Sequence, residues 1–151
     1  MKRRLAREIT VQSLYQMEMN EVNAEQAVAM LIEEAQHDNE SNVKLENAAE
    51  LTRFVKELVG GILERKNDID ALLSDFLKGW QVDRLSRVDK QILRLAAFEM
   101  VFRDNVPPKV AVNEAIELAK HFGTDESGKF VNGVLGKMIK ELDRIKNASR
   151  S

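Results

Sequence analysis

The sequence of 151 residues contains no cysteine, which excludes a disulfide scaffold, a thiolate zinc site and a cysteine nucleophile. Its two prolines and seven glycines are too few for a collagen-like or linker-dominated chain. No apolar run approaches the ~20 residues that span a bilayer. Arg7, Glu8 and Gln12 also interrupt the segment that would form the apolar region of a signal peptide. We therefore expect a cytoplasmic protein with no membrane association.

An excess of positive charge is also lacking, because 23 basic residues stand against 25 acidic ones and the net charge is −2. A protein that binds nucleic acid by bulk attraction is normally basic, so any such binding here must come from a local patch. The 44 % hydrophobic and 32 % charged residues exclude a disordered chain and predict a real core with a well-solvated surface.

Apolar residues recur with helical periodicity in nearly every segment, and no segment alternates like a strand for long. The pattern predicts an all-α protein of about seven helices in two small packed bundles. The length is typical of one domain, residues 1–151. Within it we expect two helical subdomains, roughly residues 1–80 and 81–146.

Several helix starts carry capping signals. Asn23 followed by Gln26, and Ser86 followed by Asp89, have the spacing of capping boxes. Thr124 precedes two acids and has the position of a cap for the last predicted helix. These signals predict where three of the helices begin.

Two glycine positions are informative. Gly60 and Gly61 fall inside a predicted helix, where each costs ~1 kcal/mol, and we interpret them as allowing the close approach of a neighbouring helix. Gly123 ends the helix that begins after Pro108, and it has the position of a C-terminal cap glycine.

Residues that suggest catalysis or a metal site are sparse. His37 and His121 are isolated, and no phosphate-loop, dinucleotide-binding or nucleophile-elbow motif occurs. Asp68 and Asp70, two apart on a helix, do not face each other as an acid–base pair would. Glu99, in an apolar helix face, is interpreted as a structural ion pair. We expect no catalytic residue, no metal and no cofactor.

The N-terminus is the most conspicuous charged segment, with Lys2, Arg3, Arg4 and Arg7 in seven residues that contain no acid. Such a run is often only a solvated face. However, positive charges at a helix N-terminus oppose the helix dipole, and arginine suits forked contacts to phosphate. The run therefore indicates a phosphate-binding stripe as an alternative to a solvated face.

Two aromatic residues have open interpretations. Phe130, beside Lys129 near a helix start, is either a residue at the edge of the core or a platform for an unpaired RNA base. Tyr15, at the end of the Arg3–Arg7 stripe, either packs at the rim of the core or contacts a partner.

Four segments follow one another at consistent spacing and resemble a known family. Residues 108–120 read PKVAVNEAIELAK, and residues 129–135 read KFVNGVL. Together with residues 3–15 and 89–94 they are similar to the NusB family of bacterial transcription antitermination factors. The resemblance covers nearly the whole chain.

The resemblance implies an all-α fold of two three-helix bundles and a function without catalysis. Members of the family bind the boxA element of ribosomal RNA transcripts together with a small-subunit ribosomal protein, called NusE in this role. With NusA, NusG and RNA polymerase they form an elongation complex that passes terminators. These partners are expectations for the present chain.

The resemblance also implies roles for individual residues. The expected RNA contacts are Lys2, Arg3, Arg4, Arg7, Glu126, Lys129 and Phe130. The expected contacts to the ribosomal protein are Tyr15, Asp83 and Asp89. Gly128 departs from the family pattern, which commonly has a larger polar residue there, and Glu126 replaces a frequent aspartate.

Two alternative functions remain open at this stage. One is an RNA-targeting module related to the N-terminal domains of some ribosomal RNA methyltransferases, which the absence of a nucleotide-binding domain disfavours. The other is a homodimeric protein–protein scaffold that covers the arginine stripe.

Overall fold

The computed structural model describes residues 3–38, 45–79 and 81–150, without the side chains of residues 38, 45–47, 83, 149 and 150. These residues form helices and no strand, so the predicted all-α class is confirmed. Within the described chain, no helix is long and apolar enough to cross a membrane. The helices are α1 (Arg3–Asn20), α2 (Ala24–Asp38), α3 (Leu45–Glu64), α4 (Lys66–Ser74), α5 (Arg87–Phe102), α6 (Pro108–Phe122), α7 (Asp125–Lys140) and α8 (Leu142–Arg150), with a short 3-10 helix at Val82–Arg84.

The eight α-helices among the described residues exceed the predicted count by one because the last predicted helix is divided at Glu141. The Glu141 N–H donates to the Met138 carbonyl at 3.0 Å, three residues back, which tightens the turn and ends α7. The chain then continues as α8, which packs against both α5 and α7. Leu142 and Ile145 are buried in this packing.

The chain divides into two compact units, Met1–Glu64 and Arg65–Ser151. In the first unit α1, α2 and α3 each pack against the other two. The core of this unit is formed by aliphatic side chains from all three helices, among them Ala6, Ile9, Leu14, Ala27, Val28, Leu51, Val55, Leu58 and Ile62.

The second unit is organised around α5, which packs against α4, α6, α7 and α8. Residues 90–101 of α5 are all buried. The subdomain boundary expected near residue 80 grouped α4 with the N-terminal unit. In the structure the division lies between Glu64 and Arg65, since α4 packs against α5.

The predicted capping residues make the expected hydrogen bonds. The Gln26 N–H donates to Asn23 Oδ1 at 2.9 Å, and the Asn23 N–H donates back to Gln26 Oε1 at 3.2 Å. The Ser86 Oγ atom accepts from the N–H of residue 89 at 3.1 Å, and the Thr124 Oγ1 atom accepts from that of residue 127 at 3.3 Å. These side chains satisfy backbone donors that have no partner within the helix, so the predicted starts of α2, α5 and α7 are confirmed.

A two-pronged ion pair joins α4 to α5 in the second unit. Arg94 donates from Nε to Asp70 Oδ1 and from Nη2 to Asp70 Oδ2, each at 2.8 Å. The side chains are 7 % and 25 % exposed, so water screens the pair only partly. Because two parallel hydrogen bonds require the guanidinium and the carboxylate to lie in one plane, the contact fixes both the distance and the relative orientation of the two side chains, and so holds α4 on α5.

We expect Asp70→Asn to lower the free energy of unfolding by about 2 kcal/mol, because it leaves the Arg94 guanidinium buried without its counter-charge. Asp75→Asn, at an exposed position just after α4, is the matched control and should change stability little. Urea titrations of both variants measure the difference. Equal stability of the two variants would show that the pair does not hold α4 on α5.

Two glycines differ sharply in what surrounds them. The interpretation of Gly60 as a site of close helix approach is wrong, because no described atom beyond its chain neighbours and the adjacent backbone of α3 lies within 4 Å of the position that a Cβ would occupy. At Gly123 a Cβ would lie 2.7 Å from Ser127 Oγ and 2.9 Å from the Ala119 carbonyl oxygen. The Gly123 φ of −122° is not left-handed, so crowding between α6 and α7 requires glycine there.

These surroundings predict opposite effects of the same substitution. Gly60→Ala should raise the free energy of unfolding by about 0.5–1 kcal/mol, because alanine restricts the unfolded chain and fits an open helical position. Gly123→Ala should lower it by about 1–3 kcal/mol, because the new methyl group overlaps a backbone oxygen. Thermal or urea unfolding of both variants tests the sign. A stabilised Gly123→Ala protein would contradict the packing described here.

Candidate nucleic-acid interface

The N-terminal end of α1 is an exposed, positively charged surface. Arg3 and Arg4 are both exposed, and the first turn of the helix, residues 3–6, holds no acidic residue. The helix dipole places partial positive charge at this end, so the guanidinium groups lie in an unfavourable field. An anion bound there would be attracted by the arginines and by the helix end together. Lys2, the other expected cation, lies outside the described residues.

Arg3 is held by an aromatic contact within the first unit. Its guanidinium carbon lies 5.5 Å from the centre of the half-buried Phe54 ring on α3. A cation over an aromatic face at this distance is attracted by about 0.5–1 kcal/mol when exposed. The contact limits the directions in which Arg3 extends and leaves its charge uncancelled.

Arg7 does not share this exposed surface. It is only 3 % exposed and lies on the buried side of α1 with Ala6 and Thr10. The stripe from Arg3 to Arg7 runs inward because α1 packs against both α2 and α3, which widens its buried arc. The burial of Arg7 speaks against the expected direct contact to phosphate and points to a structural role.

The start of α7 carries the second group of expected contacts. Lys129 Nζ lies 3.5 Å from Glu126 Oε1, and both side chains are more than three-quarters exposed, at 76 % and 84 %. An exposed pair of this kind contributes little to stability and exchanges partners readily. Phe130 follows and is half-buried, so part of its ring is accessible.

Gly128 brings a further lysine to this end of α7. A Cβ at Gly128 would lie 3.0 Å from Lys120 Cγ and 3.4 Å from Lys120 Cε, so the alkyl chain of Lys120 runs across the glycine. The departure at Gly128 is thus explained by the close packing of α6 and α7. Sequence reasoning did not place Lys120 beside the start of α7, since no pattern within α6 shows that its side chain crosses to α7.

The three expected partner contacts occupy separate elements. Tyr15 is half-buried on α1 in the first unit. Asp83 lies in the 3-10 helix of the second unit, and its side chain is outside the described part. Asp89 is half-buried in the first turn of α5, where the helix dipole favours a carboxylate.

Both histidines are exposed, and each contacts a residue of its own helix. His37 Nε2 lies 3.8 Å from Glu33 Oε1 on α2, and the His121 ring packs edge-on against Phe122 at a centroid distance of 4.8 Å. Among the described residues, no group of three or more histidine, aspartate or glutamate side chains is arranged to hold a metal ion.

The protein is all-helical, with exposed arginines at one helix end and lysines beside an accessible aromatic ring at another, which are side chains that suit contacts to phosphates and bases. The model of the NusB family matches residues 4–140, which is most of the chain. The chain therefore belongs to the NusB family.

Relatives of similar length share much of the sequence. The chain is 43 % identical over 141 residues to the transcription antitermination protein NusB of an Exiguobacterium species, covering 93 % of this chain and 99 % of the relative. It is 38 % identical over 144 residues to the protein of the same name from Bacillus subtilis, covering 95 % and 99 %.

Solved structures share the fold. NusB of T. maritima superimposes with a TM-score of 0.75 at 33 % identity, covering 97 % of this chain and 92 % of that one. A chain from a crystal structure of the antitermination factors NusB and NusE in complex with dsRNA gives a TM-score of 0.76 at 27 % identity, covering 91 % and 96 %.

Proposed function

We propose that this protein is a transcription antitermination factor that binds the boxA element of ribosomal RNA transcripts together with the ribosomal protein NusE. In this proposal it acts without catalysis, within an RNA polymerase elongation complex that includes NusA and NusG. The observation that carries the proposal is the exposure of Arg3 and Arg4 at a helix start whose first turn, residues 3–6, holds no acid. Membership of the NusB family and similarity to a structure of NusB and NusE with dsRNA support it.

The phosphate contacts are assigned to exposed cations at the two helix starts. Arg3 and Arg4, with Lys2 before them, contact the RNA backbone at α1. At the start of α7 the Lys129 ammonium exchanges its weak pairing with Glu126 for a phosphate. Lys120 is added to this set because its side chain crosses Gly128.

Phe130 and Glu126 supply contacts to bases rather than to phosphates. A half-buried aromatic ring is anchored on one side and open on the other, which suits stacking on an unpaired base. The Glu126 carboxylate accepts hydrogen bonds from base amino groups and repels phosphate, so it fixes where the backbone runs.

The small number of cations implies weak binding by this protein alone. Only a few phosphates are neutralised, and the net charge of −2 opposes a polyanion elsewhere on the surface. A partner that makes its own RNA contacts raises the overall affinity by linking two weak interactions. NusE takes that part in this proposal.

Replacing Arg3 and Arg4 together by alanine should weaken binding of single-stranded boxA RNA about 25-fold near 0.1 M salt and lower the salt slope by about 1.4, the effect of two lost phosphate contacts. Fluorescence anisotropy over a salt series measures both quantities. Arg53→Ala with Lys56→Ala removes the same charge from exposed positions on α3 and is the matched control.

The result that contradicts the arginine assignment is an unchanged salt slope in the Arg3 and Arg4 variant. Arg7→Ala separates structure from binding, because loss of a buried side chain should lower stability and leave the salt slope of the folded fraction unchanged. Equal affinity for boxA and scrambled RNA, with and without NusE, would refute the proposed function itself.

Phe130→Leu keeps an apolar side chain of similar size but removes the aromatic face. We expect RNA affinity to fall on the order of ten-fold with an unchanged salt slope, because stacking releases no counterions. Phe102→Leu changes another half-buried ring in the same unit and should leave RNA affinity as it is. If both variants bind RNA like the parent protein, Phe130 is a residue at the edge of the core only.

The contacts to NusE are assigned to Tyr15 in the first unit and to Asp83 and Asp89 in the second, because acids suit a basic ribosomal protein and tyrosine is a frequent anchor at interfaces. Tyr15→Ala should weaken NusE binding on the order of ten-fold or more and leave RNA binding without NusE unchanged. Tyr15→Phe keeps the ring and should retain most of the affinity. Calorimetric titration of NusE into each variant measures these affinities. A Tyr15→Ala protein that binds NusE with full affinity would show that Tyr15 is not part of the interface.

A further inference from the structure

Phe54 lies at the margin of the core of the first unit, on the helix α3 that packs against α1. It is half-buried, while Leu51 and Leu58, one turn before and after it on α3, are buried. Glu50 and Glu57 also lie one turn away on the same helix, and both are exposed. Phe54 is thus an aromatic residue between two exposed acids, where the buried face of α3 meets its exposed face.

Arg3 lies over this ring rather than against a carboxylate. Its guanidinium carbon is 5.5 Å from the ring centre, and within the described part of the chain no acidic side chain forms an ion pair with it. An aromatic face attracts a cation but accepts no strong hydrogen bond. The N–H donors of the guanidinium therefore remain available for a phosphate, whereas a carboxylate in the same place would occupy them.

The contact also restricts Arg3 before any ligand binds. An exposed arginine otherwise samples many rotamers, and fixing one of them on binding costs conformational entropy. When only a fraction of a binding group is in the competent arrangement, the apparent affinity falls by that fraction. A ring that favours the competent arrangement therefore raises the affinity without touching the ligand.

We propose that Phe54 is a positioning residue for RNA binding, which holds the Arg3 guanidinium in the direction in which Arg3 contacts a backbone phosphate. This inference rests on the proposed function and adds a residue of α3 to a site otherwise formed at helix starts. The contact between Arg3 and the ring persists in the complex, because a contact that broke on binding would oppose the RNA.

The test removes the aromatic face and keeps an apolar side chain. Phe54→Leu should weaken binding of single-stranded boxA RNA about two- to five-fold at each salt concentration, the factor by which an exposed cation–π contact favours one arrangement. The salt slope should stay unchanged, because Arg3 still contacts its phosphate in the complex. Phe54→Tyr keeps an aromatic face and should retain the affinity of the parent protein.

Phe102→Leu is the matched control. Phe102 is also half-buried, and the Arg65 guanidinium carbon lies 4.4 Å from its ring centre in the second unit. This variant loses the same kind of contact at a place outside the proposed RNA site, so its RNA affinity should equal that of the parent protein. Urea unfolding of each variant gives the folded fraction to which its affinity is referred.

A double-mutant cycle shows whether Phe54 acts through Arg3. In an Arg3→Ala background, Phe54→Leu should have no further effect on RNA affinity, since the group that the ring positions is gone. An equal loss in both backgrounds overturns the inference, because the ring would then contact RNA itself or only support the fold. The inference also fails if Phe54→Leu binds RNA as tightly as the parent protein or more tightly, or if Phe54→Tyr or Phe102→Leu loses as much affinity as Phe54→Leu.

Failure of this inference is distinguishable from failure of the proposed function. If Phe54→Leu binds like the parent protein while the Arg3 and Arg4 variant still loses affinity, the function stands and the ring has no positioning role. If the unaltered protein does not discriminate boxA from scrambled RNA under any condition, the function itself fails.

Discussion

The fold keeps positive charges in places where the fold itself disfavours them. Arg3 and Arg4 lie at the positive end of the α1 dipole, where an acid would be more stable by about 0.3–1 kcal/mol. This arrangement lowers the stability of the free protein and becomes favourable when a polyanion binds. The proposed function depends on these exposed cations.

Other charged groups are placed where they stabilise the fold. Arg94 is held by both oxygens of Asp70, and the starts of α5 and α7 carry acids that agree with the helix dipole. Arg7 is withdrawn from the surface although it belongs to the same basic run as Arg3. In the proposed function, exposed cations at the start of α1 let a protein of net charge −2 bind RNA locally.

Local features of this fold were predictable from the sequence because their causes are local. A capping box needs only two residues three apart, and the hydrogen bonds at Asn23 and Gln26 follow the predicted pattern. The helical periodicity predicted the all-α class in the same way. The division at Glu141 was missed because the amphipathic pattern continues across it, and the break is due to a single tightened turn and packing on α5.

Features that depend on contacts distant in sequence were not predictable. The burial of Arg7 follows from the packing of α1 against two helices. At Gly60 the sequence does not show whether another helix packs nearby, and among the described residues none does. The crossing of Lys120 over Gly128 needs the geometry of α6 and α7 together. For the candidate site, sequence therefore predicted the charged helix starts, and the structure was needed to show which of their cations are accessible.

The account is tested most directly by the salt dependence of RNA binding by the unaltered protein, without NusE. Plotting the logarithm of the association constant for single-stranded RNA against the logarithm of the salt concentration should give a slope of about −2 to −4, since three to five exposed cations contact phosphates. A slope near zero would show that these cations do not hold the RNA backbone, and it would contradict the account.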